Sequence, residues 1–187
     1  CHCIPAFLAL AVLEATAIGY TPQWVAPSFG GDVAVATGLI EEYAQGTAAE
    51  NVPPEAFLDG LIITAFLPMA AQREDPWTEF FLEIHKRYNE GTPFTDTTVY
   101  GMVQAVLFAQ VLMETGPDLT RESLLGTLNS HEWTGPGLVP FNATEDDHSG
   151  YAGVMVVQHH AGEEPEILQE PMVTDSDGGE VLPFELD

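Results

Sequence analysis

Hydrophobic positions follow two rhythms along the chain. Residues 5–18 are almost wholly apolar, interrupted by Glu14. Pro5 suits the first turn of a helix, where its missing N–H costs nothing, and Gly19 stops the run. A helix apolar on nearly every side is expected to be covered by a sheet and other elements. Residues 22–27 read as a short buried strand. Residues 28–32, "SFGGD", read as a loop whose two glycines allow unusual backbone angles. Asp32 then caps a helix to about Tyr43. The β-branched, apolar run 57–68, closed by Pro68, is the clearest strand.

A helical half follows. Asp75 and Pro76 open a helix on which Trp77, Phe80, Phe81, Ile84 and Tyr88 share one face. "EGTP" ends it. A longer helix over 96–114 is nearly continuous in apolar residues and is expected to be central and covered. Thr120 caps a third, with Glu122 near its positive end. Trp77, Phe80 and Tyr100 read as core residues. The tail turns strand-rich, with runs at 137–142, 151–160 and 164–173, and residues 176–187 read as a loosely held tail. Helix–strand alternation implies an α/β fold with mainly parallel sheets flanked by helices.

Composition narrows the function. The 187 residues include 45% hydrophobics, enough for a real core. Four basic residues stand against 29 acidic ones, a formal charge of -25. Such a surface repels phosphate backbones, so nucleic acid is not an expected partner, and anionic membranes are disfavoured. The opening lacks a basic region ahead of its apolar run, and Glu14 falls short of the ~20 apolar residues of a membrane span. The abrupt start reads like a piece of a longer protein. Cys1 and Cys3 are the two cysteines. One intervening residue argues against a mutual disulfide, and Cys-x-Cys with His2 offers too few ligands for a closed metal site.

The candidate chemistry centres on "NATEDDHSGY", residues 142–151, with His131, His159 and His160 nearby in sequence. Asp and Asn bond their own backbone in turns, and Gly150 can take a left-handed conformation before a strand, so a structural turn is the expectation. Adjacent His159 and His160 on a strand point to opposite faces. The sequence has no phosphate-binding glycine loop and no Gly-x-Ser-x-Gly elbow. No catalytic residue, metal or cofactor is expected. A metal-dependent enzyme built on Asp146, Asp147 and His148 is the remotest alternative.

The ordered series "AIGYTPQWVAPSFGGD", "DGLIITAFLP", "FFLEIHKRYNEGTPFTDTTVYGMVQAVLFAQVLMETGPDLTRESLLGTLNS" and "EWTGPGLVPFNATEDDHSGYAGVMVVQ" resembles the C-terminal part of a type I periplasmic binding protein. The group it resembles is the branched-chain amino-acid receptors of ABC importers, from about Pro5 to Gln158. The resemblance implies two α/β lobes that close on a ligand by a hinge motion. On that pattern residues 1–56 belong to the second lobe and 57–70 form a strand and hinge crossover. Residues 71–135 are helices of the first lobe, 136–175 return with closing strands, and 176–187 are a tail.

The resemblance also implies site residues. The family's acidic contact to the ligand ammonium falls at Ser28, with Phe29 beside it; a second contact, aromatic in amino-acid binders, falls near Cys3 and Ile4. Neither matches, and a hydroxyl cannot make the same charge-assisted bond. The expected ligand therefore widens from an amino acid to an amide or an apolar or aromatic acid. The implied protein is an extracytoplasmic solute receptor, lipid-anchored at full length, whose partner is a membrane ABC permease. A ligand-sensing regulatory domain of the same fold is the alternative.

Overall fold

Caps and prolines fix where the helices begin. The computed structural model describes residues 1–130, 132–173 and 181–184. Pro5 opens α1 (Pro5–Ala17). Asp32 caps α2 (Val33–Tyr43) by accepting the Val35 N–H at 3.2 Å. Asp75 caps α3 (Pro76–Tyr88) through the Thr78 N–H at 2.7 Å. Thr95 and Thr120 start α4 (Asp96–Thr115) and α5 (Arg121–Leu128), each in a reciprocal capping box.

The architecture is α/β, as expected. Strands β1 (Val25–Pro27) and β2 (Ile62–Ala65) pair in parallel. Strand β5 (Gly153–Gln158) runs antiparallel on the other side of β2, and β6 (Glu166–Val173) and β7 (Leu182–Pro183) continue outward, also antiparallel. The described sheet is thus mixed, where helix–strand alternation pointed to mainly parallel pairing. The link from β5 to β6, residues 159–165, is a hairpin loop too short for a parallel crossover. A small ribbon pairs β3 (Phe141–Asn142) with β4 (Gly150–Tyr151). Part of the expected tail, 176–180 and 185–187, lies outside the described residues; Leu182 and Pro183 pair with β6.

Two strands are shorter than their apolar runs. β2 occupies four residues of the run 57–68, because a 3₁₀ turn (Pro54–Phe57) precedes it and Pro68 cannot extend the ladder. The run 137–142 keeps only Phe141 and Asn142, after Gly137 and Pro140. Between β3 and β4, residues 142–151 form a turn: the Asp147 N–H donates to Thr144 Oγ1 at 2.9 Å and the Ser149 N–H to Asp147 Oδ1 at 2.8 Å. Gly150 there takes φ +79°. Cys1 and Cys3 are disulfide-bonded, against the expectation from their spacing, with Cα atoms 5.4 Å apart.

The main core joins α1 and α2 to the sheet through Leu8, Val12, Ile40, Ile63 and Val157. A second cluster, Leu67, Phe81, Val99 and Val103, ties the segment after β2 to α3 and α4. A third, Leu107, Val111 and Trp133, lies farther along α4. Helices expected to be covered all round are covered on one stripe. α4 buries Val99, Val103, Leu107 and Val111 but exposes Phe108 and Met113; α1 exposes Phe7 and Leu10. α3 is turned by about one residue from its expected face: Thr78, Phe81 and His85 face inward, and Phe80 and Tyr88 outward. Polar partners allow this, since Thr78 Oγ1 donates to the Met69 carbonyl at 3.4 Å and His85 Nε2 meets Thr92 Oγ1 at 3.1 Å.

A candidate ligand cleft at the strand ends

Parallel strands β1 and β2 end side by side, and the chain leaves both at the same edge of the sheet. After β1 the Gly31 N–H returns to the Pro27 carbonyl at 2.8 Å, closing a tight turn that holds Ser28 and Phe29 outward. Two glycines let this turn sink into its surroundings. A Cβ at Gly30 would run into the Cys3 carbonyl, and one at Gly31 would come within 2.9 Å of Ile63. The loop is therefore pressed on one side by the segment before α1 and on the other by β2.

Asp32 ends the loop and is 1% exposed. Its Oδ1 caps α2. Its Oδ2 accepts the Thr97 N–H at 3.0 Å and the Thr97 hydroxyl at 2.9 Å. This carboxylate thus fastens the start of α4 to the end of β1 across 65 residues of sequence. A matching link joins α4 to the segment after β2, where Asp96 Oδ1 accepts the Ala70 N–H at 2.6 Å. Burial raises the Asp96 carboxyl to about 6, the Ala70 hydrogen bond opposes that rise, and the nearby Asp32 charge adds to it.

These elements enclose a cleft of about 330 Å³. Phe29, Ile63, Phe66, Leu67, Met69 and Tyr100 give it an apolar wall, and Ser28, Asp32, Asp96 and Thr97 supply its polar groups. Phe66 meets Tyr100 edge-on at 6.4 Å between ring centroids. Phe29 is 63% exposed and Tyr100 49% exposed, so both rings present faces to solvent at the mouth. A second groove of about 400 Å³ adjoins it, lined by Cys3, Ile4 and Val154 and sharing Ser28, Phe29 and Phe66. Among the described residues no group of three or more His, Cys, Asp or Glu side chains is placed to hold a metal ion.

An apolar concavity beyond the carboxyl ends of parallel strands is where open α/β folds bind small molecules. No family model and no curated protein matches the sequence. Solved structures do match. A substrate-binding periplasmic protein from Ralstonia solanacearum superposes with TM-score 0.67 at 16% identity, covering 86% of this chain and 42% of its own. A branched-chain amino-acid ABC transporter protein from Thermus thermophilus, with bound valine, gives 0.64 at 16% identity, covering 89% and 43%. A fatty acid ABC transporter substrate-binding protein from Thermomonospora curvata gives 0.65 at 16% identity, covering 92% and 42%.

The chain carries a type I periplasmic binding-protein fold.

It spans less than half the length of each of these structures. Within this type I fold, all four sequence-derived site residues fall at one edge of the sheet. Ser28 and Phe29 stand on the ridge between the two concavities; Cys3 and Ile4 line the outer groove only. Sequence reasoning missed Asp96, Thr97, Phe66 and Tyr100, and recognised Asp32 only as a helix cap. The cleft residues after β2 follow from strand pairing, since Phe66 continues the parallel partner of β1. Tyr100, read as core, lies one turn beyond Asp96 on α4 and lines the cleft.

Proposed function

We propose that this chain forms one side of the ligand cleft of an extracytoplasmic solute receptor. It captures a small organic molecule between two lobes and delivers it to a membrane ABC permease. In this reading residues 1–56 and the returning strands belong to one lobe, and α3 to α5 belong to the other. Residues 57–70 carry the chain across the hinge. Ser28 and Phe29 touch the ligand from the loop after β1, and Cys3 and Ile4 flank the outer end of the cleft.

The observation that carries the reading is the apolar cleft at the ends of β1 and β2, walled by segments from separate hydrophobic clusters. A cleft between separately packed units is the arrangement on which closure around a solute depends. The fold likeness to ABC substrate-binding proteins agrees with it. No acid–base pair or nucleophile is needed for capture.

The test is a thermal-shift screen of small organic solutes on the full-length protein, repeated with Ser28→Trp to fill the cleft. A solute at 100 times its Kd is expected to stabilise the native state by about 2.7 kcal/mol, with the effect lost in Ser28→Trp. Stabilisation that survives the tryptophan places the ligand elsewhere and overturns the reading, as does the failure of every solute.

A further inference from the structure

Resting on the receptor reading, we infer that this cleft selects an apolar molecule carrying a protonated amine, with the ammonium on Asp96 and the apolar part against Phe29, Phe66 and Tyr100. The first support is the inventory of charge. The wall contains two carboxylates and no lysine or arginine. The chain has four such residues, none of them on this wall; Arg73 lines a neighbouring cavity that Asp32 and Asp96 also line. A ligand carboxylate would meet no cation on this side of the cleft.

Helix ends could have replaced a cation, because their free N–H groups attract anions. Here both helix starts at the cleft carry their own acids. Asp32 caps α2 and Asp96 sits in the first turn of α4. Their carboxylates already offset the two positive helix ends, so the local field favours a cation.

The second support is the state of the polar atoms. Asp32 is committed to Val35 and to both donors of Thr97. Asp96 commits Oδ1 to Ala70, while its Oδ2 accepts no hydrogen bond among the described residues. Asp96, a residue of the wall, thus keeps one carboxylate oxygen available to an ammonium donor, in a charge-assisted bond. The exposed faces of Phe29 and Tyr100 add attraction for a cation. The net charge of -25 draws cations toward the molecule from a distance. Ser28, which the family resemblance put in the place of an acid, then serves as a neutral neighbour rather than the charge partner.

Matched probes separate this claim from the receptor reading. Calorimetric titration of the full-length protein would compare phenethylamine, 2-phenylethanol, 3-phenylpropionic acid and phenylalanine. The amine is expected to bind tightest, and Asp96→Asn to weaken it at least about tenfold while leaving the alcohol unchanged. Asparagine keeps an oxygen for the Ala70 N–H, and matching melts of variant and parent near pH 4 establish that the variant folds. Tighter binding of the acid or the amino acid, or an amine affinity indifferent to Asp96→Asn, overturns the inference and leaves the receptor standing. Failure of all four probes overturns this ligand class, and the wider solute screen alone then decides the receptor reading.

Discussion

Asp96 carries an energetic cost at neutral pH that can be measured. Burial raises its carboxyl from the ordinary 3.8 to about 6. The folded chain therefore holds this proton more tightly than the unfolded chain does. Stability from this group is greatest below about pH 4 and falls as pH rises through about 6. Asp96→Asn removes the titration while keeping an acceptor for Ala70. The variant is expected to melt several degrees above the parent at pH 8 and together with it near pH 4. His159 works in the opposite direction: burial lowers its pKa, so its contribution is lost as pH falls below its ordinary 6.5. Both proteins share that histidine, so the difference between their melting curves isolates Asp96. Coincident curves across the range would refute the assigned shift.

At the scale of elements, Asp32 is the residue on which two helix starts depend. Asp32→Ala removes the α2 cap, worth about 1 kcal/mol. It also removes the two Thr97 hydrogen bonds, together worth roughly a further 1–3 kcal/mol. A loss of about 2–4 kcal/mol in urea unfolding is the expected outcome, and a loss under ~0.5 kcal/mol would mean the link between α4 and β1 holds nothing. The two halves of this residue's work differ in how they show in sequence. Capping is local: Asp32, Asp75, Thr95 and Thr120 each bond a residue three positions on. The same short range makes Asp32, Asp75 and Thr120 legible as helix starts. The bond from Asp32 to Thr97 spans 65 residues and depends on how α4 docks, which no local pattern encodes. The inward face of α3 was misjudged for a related reason. Its aromatic residues outweigh Thr78 and His85 in hydrophobicity, yet those two are buried with hydrogen-bond partners, the Met69 carbonyl and the Thr92 hydroxyl.

At the scale of the molecule, strand ends and helix starts converge on one edge of the sheet. The fold was legible from the order of apolar runs, caps and glycine breaks in this chain, which superposes on solved structures at only 16% identity. The loop carrying Ser28 and Phe29 was legible for the same reason. Asp96 and Tyr100 were not, because their place in the cleft is set by packing between separate clusters. Hydrogen–deuterium exchange on the full-length protein, with and without its most stabilising solute, tests this convergence most directly. Protection is expected together in residues 28–32, 65–70 and 96–100, the three segments that build the cleft. Protection confined to residues 110–114 and 132–134, which line a separate cavity, or no protection in any cleft segment, would contradict the account.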